Sequence, residues 1–293
     1  MRRFSSSLLA LAAACGAADP GSPIGAPGSV GSVGGRVDLL DFTLTGDTRP
    51  PECDLTSLYP KEILRAEVLQ MAALAPQFAL DLGDHMFACG SAERAREQMQ
   101  LYAQALAGFA PPWFMTMGNH ECRLADCSGP AGASDPNYAA YLAALRQISN
   151  QERPFYALDV QTRLGLARIV VVADNVQGAE QRAWLEGTLA EADRIARYTI
   201  VARHHPIDGS RSGPAWAWEI ARRHKYSLIL TAHAHAYAHS GEASGRAVIC
   251  GLGGASPAAT GFCRVKQLAT GELRFVRYDL AGDPLDAWSV PPQ

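Results

Sequence analysis

Five short polar groups, each placed directly after an apolar run, constrain the fold of this sequence more than any other feature. In chain order they are Gly46-Asp47-Thr48-Arg49-Pro50, Gly83-Asp84-His85, Gly118-Asn119-His120-Glu121, His204-His205-Pro206 and His233-Ala234-His235. Residues 42–45 and 228–231 are typical of the apolar runs that precede them. Because open α/β sheets carry their sites at the carboxyl ends of strands, the pattern predicts that five strands bring these groups to one edge.

Strand-like and helix-like segments alternate from residue 37 onward. Apolar runs predict strands at 37–45, 78–82, 113–117, 166–173, 199–202 and 226–231, and helical spacing predicts helices at 61–75, 91–107, 137–148 and 180–192. Residues 123–136, rich in Gly, Pro, Ser and Asp, predict a loop. The segment 236–280 has the pattern of short strands joined by Gly-rich turns. The predicted fold class is therefore α/β with mixed sheets.

The first fifteen residues have the pattern of an export signal. Arg2 and Arg3 precede an apolar stretch at residues 7–14, which ends in small residues and Cys15. The segment is similar to a bacterial lipoprotein cleavage box, although Ala12 stands where a Leu is usual, so lipidation of Cys15 and ordinary secretory cleavage both stay open. Residues 16–36 are rich in Gly, Pro, Ser and Ala and predict a flexible tether. We expect an exported protein of the periplasm or cell envelope.

Charge and hydropathy exclude two classes of partner. The formal net charge is −3 and no long basic run is present, so the sequence predicts no nucleic-acid-binding surface. No apolar stretch reaches the ~18 residues that a membrane-spanning helix needs. Any membrane contact is therefore expected only through a lipid on Cys15.

Six cysteines besides Cys15 predict disulfides in an exported protein. Cys122 and Cys127 share one loop, and Cys250 and Cys263 flank a Gly-rich turn, so we expect each of these pairs to form a bridge. Elimination then pairs Cys53 with Cys89. Six cysteines allow fifteen pairings, so other pairings stay open.

The side chains of the five polar groups form the donor set of a metal site. Two Asp, one Asn and at least three His supply hard oxygen and borderline nitrogen ligands, which suit Zn, Mn or Fe(II). His233 and His235 lie two residues apart, so on an extended strand they share one face and can bind together.

The order of the groups, GD…GD…GNHE…HHP…HxH, resembles that of the calcineurin-like metallophosphoesterases. The similarity covers about residues 37–280, and Gln181, Trp184 and Leu185 also match a Q-x-x-W-L helix of that family. The resemblance implies one domain, residues 37–293, folded as a four-layer α/β/β/α sandwich with a dinuclear metal site on the loops at one edge.

Carried over to this sequence, the resemblance implies a role for each polar group. Asp84 would bridge two divalent ions (Mn, Zn or Fe), Asp47 and His235 would bind the first, and Asn119, His204 and His233 would bind the second. Two such ions acidify a water molecule to hydroxide and hold phosphate oxygens for in-line attack. His120 would act as the general acid, since histidine titrates near neutrality. We assign substrate binding to Arg49 and His205.

Two positions depart strongly from the family pattern, and Ala232, which stands where the family has Gly, is a milder change. Arg49 stands where the family has a metal-binding His, and Phe87 stands where members have a Tyr or an Asp. Arginine has no free lone pair, so the first metal is one ligand short and weakly held unless water or His85 binds it. We expect Arg49 to point toward the substrate and away from the metal, where its fork can bind phosphate.

The expected function is metal-dependent hydrolysis of a phosphate ester, on a small molecule or a macromolecule and as a mono- or diester. The alternative is a degenerate member of the family that binds a phosphorylated ligand without turnover, which the residues at positions 49 and 87 favour. A Rossmann-type nucleotide-binding protein ranks last, because no GxGxxG motif follows an early strand.

Overall fold

The computed structural model describes residues 28–207, 213–239, 245–256 and 260–293, which form two β-sheets and six α-helices. The strands are β1 (Ser29–Gly31), β2 (Gly34–Arg36), β3 (Asp41–Thr45), β4 (Phe78–Asp81), β5 (Trp113–Met115), β6 (Tyr156–Thr162), β7 (Gly165–Val171), β8 (Ala196–Ala202), β9 (Leu228–Thr231), β10 (Tyr237–His239), β11 (Ala247–Cys250), β12 (Phe262–Gln267), β13 (Leu273–Tyr278) and β14 (Pro284–Val290). The helices are α1 (Lys61–Ala73), α2 (Ala92–Ala105), α3 (Gly129–Ala133), α4 (Pro136–Ala144), α5 (Ala179–Ile195) and α6 (Trp216–Ala221). A 3₁₀ turn at Thr56–Leu58 and a π-helical turn at Leu145–Ser149 complete the list.

Both sheets are mixed, as the sequence predicts. One has eight strands in the order β1-β2-β6-β7-β8-β9-β11-β10, and the other has six in the order β14-β13-β12-β3-β4-β5. β7, β8, β9 and β11 are parallel neighbours in the first sheet, as are β3, β4 and β5 in the second. The sheets and their helices form the predicted four-layer α/β/β/α sandwich.

The alternation of side chains along β7 shows how the layers are held together. Ile169 and Val171 belong to the core that the two sheets share. Val170 and the following Val172 belong to a second core, which also contains Leu185 of α5. Because successive side chains of a strand point to opposite faces, one apolar strand packs against a sheet on one side and helices on the other.

Five strand ends deliver the polar groups to one edge, as predicted. Asp47 follows β3, Asp84 follows β4, and Asn119 with His120 follows β5 in the six-stranded sheet. His204 and His205 follow β8, and His233 and His235 follow β9 in the eight-stranded sheet. The site therefore lies where the edges of the two sheets meet.

The flexible tether predicted for residues 16–36 is wrong in its last nine residues. β1 and β2 pair in antiparallel register, and β2 pairs in parallel with β6. Gly34 has φ +122°, and a Cβ there would lie 1.9 Å from the main-chain oxygen of Asp159. Gly34 is therefore needed for the close packing of β2 against β6, not for flexibility. The predicted signal at 1–15, with Cys15, and tether residues 16–27 lie outside the described residues.

Three local predictions also need correction. β6 was not predicted, because its alternation of buried and half-buried residues spans a sequence with polar Asp159, Gln161 and Thr162. The strand predicted at 37–45 begins only at Asp41. The loop at 123–136 contains the short helix α3, which has a proline in its first turn.

The three predicted disulfides are confirmed. Cys53 pairs with Cys89, Cys122 with Cys127, and Cys250 with Cys263. Three bridges in one chain are typical of proteins that mature in an oxidising compartment outside the cytoplasm. Within the described ranges, no helix has both the length and the apolar character to cross a membrane.

Glu67 of α1 is a fully buried carboxyl group between two elements of the six-stranded sheet. It lies 3.1 Å from the Thr45 hydroxyl and accepts a hydrogen bond from the main-chain N–H of Gly261. Burial raises its pKa well above the ordinary value of 4.5. The folded protein therefore keeps a proton on Glu67 that the unfolded chain releases above about pH 4.5.

We predict that Glu67→Gln stabilises the protein more at pH 8 than at pH 4. A raised folded-state pKa makes the wild-type free energy of unfolding fall as pH rises above 4.5, at up to about 1.4 kcal/mol per pH unit, whereas the amide has no proton to lose. Chemical denaturation of both proteins at the two pH values measures the difference. The exposed Glu93→Gln variant is the control, and a stabilisation that does not change with pH would contradict a protonated Glu67.

Candidate metal centre

Four of the predicted ligands sit on left-handed backbone. The φ angles are 62° at Asp47, 62° at Asp84, 63° at His233 and 50° at His235. This conformation costs a non-glycine residue roughly 1–2 kcal/mol, and such residues cluster at functional sites. Each sharp turn comes directly after a buried strand and places the side chain at the sheet edge.

The ligand atoms form two groups that share one carboxylate. Asp47, Asp84 and His235 bring one donor atom each to within 4.8 Å of the others, and so do Asp84, His204 and His233. We call the first three residues the first half-site. We call Asp84, Asn119, His204 and His233 the second half-site. The structure thus brings all six predicted metal ligands together, with Asp84 at the predicted shared position.

The second half-site has the donors that a divalent transition metal requires. His204 Nε2 lies 3.2 Å from Asn119 Oδ1, 3.2 Å from His233 Nδ1 and 3.3 Å from Asp84 Oδ2. The other ring nitrogen of His204 lies 2.8 Å from the Leu82 carbonyl oxygen, a contact that holds the ring orientation. One carboxylate, one amide oxygen and two imidazoles fit Zn, Mn or Fe(II).

The electrostatics of the chain's own side chains also favours a cation here. Burial acts to raise the pKa of Asp84, but His204, His120 and Arg49 outweigh it and hold that pKa well below its usual range. Burial acts to lower the pKa of His204, yet the Asp84 carboxylate raises it to about 9. The proton on His204 therefore balances the charge of Asp84, and a metal bound here would displace it.

The first half-site also contains a buried carboxylate, that of Asp47. Burial raises the pKa of Asp47 to about 7. Its Oδ1 atom is buried, and the part of the chain that the structure describes offers it no hydrogen-bond partner. A Cβ on Gly251 would lie 2.1 Å from the other oxygen, so only glycine fits beside it. The three donors converge as a metal site would require.

The predicted direction of Arg49 is wrong. Its guanidinium lies inside the first half-site, with Nε 3.4 Å from Asp84 Oδ2 and Nη2 3.2 Å from His235 Nε2. The Asp84 carboxylate attracts the guanidinium, and the Phe87 ring stacks beneath it at 4.6 Å. Its role in substrate binding stays a prediction.

His85 is also not the replacement ligand that we considered. Its ring is fully buried between Asp81 and Glu121, with its nitrogens 3.2 Å and 3.4 Å from their oxygens. Burial acts to lower its pKa, but the two carboxylates raise it to about 10. A protonated imidazole has no lone pair for a metal.

Glu121, quoted in the GNHE motif without a role, ties two ligand loops together. Its carboxylate accepts hydrogen bonds from the main-chain N–H groups of Asp84, His85 and Gly118 at 2.9, 2.7 and 2.6 Å. Burial acts to raise its pKa, and the neighbouring His85 more than offsets this, so Glu121 stays ionised. Its position three residues after Gly118 gave no hint of these contacts.

His120 lies beside Asp84 at the mouth of the site. Its main-chain N–H donates to Asp84 Oδ1 at 3.0 Å, and its ring Nε2 is 3.7 Å from Asp84 Oδ2. Burial lowers the pKa of the ring below 6.5, which makes its proton easier to give away. A cavity of about 310 Å³ opens next to it, lined by Phe87, Ala88, Cys89, Asn119, Cys122, Arg123 and Asn137.

His205 faces the second half-site and is oriented by a residue that the sequence reading missed. Its ring lies 4.5 Å from the ring of His233. Asp174, fully buried, accepts from His205 Nδ1 at 3.0 Å and pairs with Arg203. Burial acts to raise the pKa of Asp174, but Arg203 and His205 lower it to about 2. Asp174 follows the apolar run 169–173, which is the signal that could have found it.

Comparisons with known proteins concern the family and the fold of the chain. The sequence model of the calcineurin-like phosphoesterase family matches residues 54–237, a range that begins after Asp47 and Arg49. A search of curated proteins found no match.

Solved structures share the fold at low sequence identity. GAP50, the anchor in the inner membrane complex of Plasmodium, has a TM-score of 0.66 and 16% identity over 87% of this chain and 90% of its own. The purple acid phosphatase PPD1 of yellow lupin seeds has a TM-score of 0.63 and 14% identity over 90% of this chain, which spans only 54% of the plant enzyme. A dimetal phosphatase from Danio rerio has a TM-score of 0.58 and 13% identity over 87% of this chain and 100% of its own.

We predict that Glu121→Gln destabilises the fold and weakens metal binding, because its carboxylate holds the main chain of two ligand loops. An amide replaces one acceptor oxygen by a donor, which leaves a buried main-chain N–H unpaired at about 1–3 kcal/mol. Chemical denaturation and metal titration measure the two effects. The exposed Glu62→Gln variant should match the wild type, and a Glu121→Gln protein with unchanged stability would refute the bracing role.

Proposed function

This chain belongs to the calcineurin-like phosphoesterase family, and from that premise we propose that it is a metal-dependent hydrolase of phosphate esters. The observation that carries the proposal is the pair of donor groups that share Asp84, with His120 beside the shared carboxylate. Family membership alone supports phosphoesterase activity in general. The dinuclear centre and its hydroxide, which the resemblance implies, stay predictions.

Each site residue has a task in this proposal. When bound, a divalent transition metal supplies Lewis acidity to phosphoryl oxygens and acidifies water. Asp84, Asn119, His204 and His233 would hold it at the second half-site. His120 donates a proton to the leaving oxygen, from the side of the site that opens to the cavity. The buried carboxylate of Asp174 accepts a hydrogen bond from His205 Nδ1 and fixes the His205 ring beside His233, where we propose that it contacts the substrate.

Binding of a phosphorylated ligand without turnover is the second candidate. The observation that favours it is the position of Arg49, whose guanidinium lies on two ligand atoms of the first half-site. GAP50 is described as an anchor, so a protein with this fold also serves in attachment. An assay with bis-p-nitrophenyl phosphate and p-nitrophenyl phosphate, run with and without added Mn²⁺, separates the two candidates.

Export is part of the proposal. The three disulfides support an oxidising compartment, and the first fifteen residues have the pattern of a signal. We propose a protein of the periplasm or cell envelope, with a lipid on Cys15 as an anchor. Mass spectrometry of the mature protein would show either a lipid mass on an N-terminal cysteine or an unmodified N-terminus.

We predict that Asp84→Ala and His233→Ala each remove both bound metal and activity. Each substitution deletes a ligand atom of the second half-site, and Asp84 also carries the charge that the metal balances. Metal analysis after dialysis and the two chromogenic assays measure the losses. His224→Ala, which changes a histidine paired with Asp193, is the control, and near-normal activity in the Asp84 variant would end the proposal.

We predict that His120→Ala keeps the metal but slows hydrolysis of poor leaving groups by ~10²–10⁴-fold, the usual contribution of a general acid. Esters of p-nitrophenol should lose less, because p-nitrophenolate leaves without protonation. The comparison needs rates for alkyl and p-nitrophenyl phosphates with the same variant. Equal losses for both would assign His120 a role other than proton donation.

A further inference from the structure

Arg49 and Phe87, the two strong departures from the family pattern, contact each other. The guanidinium carbon of Arg49 lies 4.6 Å from the centre of the Phe87 ring. Nη1 of Arg49 donates to the Pro50 carbonyl oxygen at 2.9 Å, and the side chain is only 10% exposed. Stacking, burial and this hydrogen bond hold the guanidinium in one place, unlike a surface arginine that moves in solvent.

The held guanidinium takes a lone pair that a first metal would need. An arginine can only donate hydrogen bonds, so at 3.2 Å from Arg49 Nη2 the Nε2 atom of His235 must be the acceptor. A metal ion would bind His235 through the same lone pair. The contact with Arg49 and a metal–His235 bond therefore exclude each other.

The charge of Arg49 also disfavours a metal ion in the first half-site. Arg49 Nε lies 3.4 Å from Asp84 Oδ2, so the guanidinium already balances part of the buried negative charge of Asp84. A divalent ion among the same atoms would lie within a few ångströms of a guanidinium that Phe87 holds in place. Like charges at that distance repel strongly in a buried site.

We propose that Arg49, held by Phe87, takes the place of the first metal ion, so that the protein works with one metal at the second half-site and one arginine cation at the first. This rests on the metal-dependent function proposed above and replaces the predicted dinuclear centre. Asp84, Pro50 and His235 use three of the five N–H donors of Arg49, which leaves two for phosphate oxygens. The chain thereby supplies from its own side chain the positive charge that a first metal would bring to a phosphoryl group.

Metal stoichiometry of the full chain tests this proposal without reference to activity. Metal-free protein is titrated with Mn²⁺ by calorimetry, and the electron paramagnetic resonance spectrum is recorded at saturation. The wild type should bind one tight equivalent and give the spectrum of an isolated ion. Arg49→Ala should bind two, because Asp47, Asp84 and His235 supply three ligands, as many as a catalytic zinc has. Its spectrum should be that of a coupled pair bridged by Asp84.

Further variants locate the second ion and guard against misfolding. Arg49→Met keeps an unbranched side chain on Phe87, removes the charge and the donors, and should also bind two equivalents. Adding His235→Ala to Arg49→Ala should return the stoichiometry to one, which assigns the new ion to the first half-site. Arg123→Ala, which removes a cavity arginine that packs on Gly90, should stay at one.

The outcomes separate failure of this proposal from failure of the proposed function. Two tight equivalents in the wild type would overturn the arginine substitution while leaving the metal-dependent hydrolase intact. One equivalent in both Arg49 variants would also overturn it, because the missing ligand and not the arginine would then limit the site. A folded wild type that binds no metal and hydrolyses neither chromogenic ester would overturn both.

Discussion

The carboxylate of Glu121 is the contact on which the rest of the site depends. Three main-chain N–H groups from the ends of two neighbouring strands converge on it, so the loops that carry Asp84 and Asn119 cannot move independently. A buried carboxylate would be unfavourable without a counter-charge, and His85 provides one from the other side. The fold thus places a structural ion pair directly behind the metal ligands, where it holds their backbone without competing for the metal.

The site combines strained backbone with buried negative charge in a small volume. Asp47, Asp84, His233 and His235 all adopt left-handed backbone, and their side chains bring negative charge and lone pairs into a buried edge. Close approach is possible because glycine stands where a side chain would collide: a Cβ on Gly118 would lie 2.3 Å from Asp84 Oδ1. Strained backbone persists only where the surrounding structure holds it in place, and here the two packed sheets do so. A proton on His204 and the guanidinium of Arg49 partly balance the charge.

Arg49 and Phe87 show why departures from a family pattern are better judged in space than along the chain. Read separately in the sequence, each is a lost ligand or a lost hydrogen-bonding group. In the folded protein they are one unit, in which the aromatic face of Phe87 holds the cation and the centre of the Phe87 ring lies 4.1 Å from the centre of the His120 ring. The same two residues therefore connect the first half-site to the general acid proposed for the reaction.

The sequence favoured one cysteine pairing among the fifteen possible, and the structure confirms it. The sequence by itself determined the α/β class, the mixed sheets and the strand ends that carry the ligands. These features are local, because a ligand that follows a buried strand within two to four residues must lie at the end of that strand. Only the tertiary structure decided that Arg49 lies inside the first half-site, that His85 is turned toward Asp81 and Glu121, and that Asp174 orients His205. It also showed that residues 28–36, expected to be part of a tether, contain two paired strands. Each of these outcomes depends on contacts between residues about thirty or more positions apart, or on which side chains pair with a buried charge. The spacing of residues along the chain specifies neither the distant contacts nor the charge pairing.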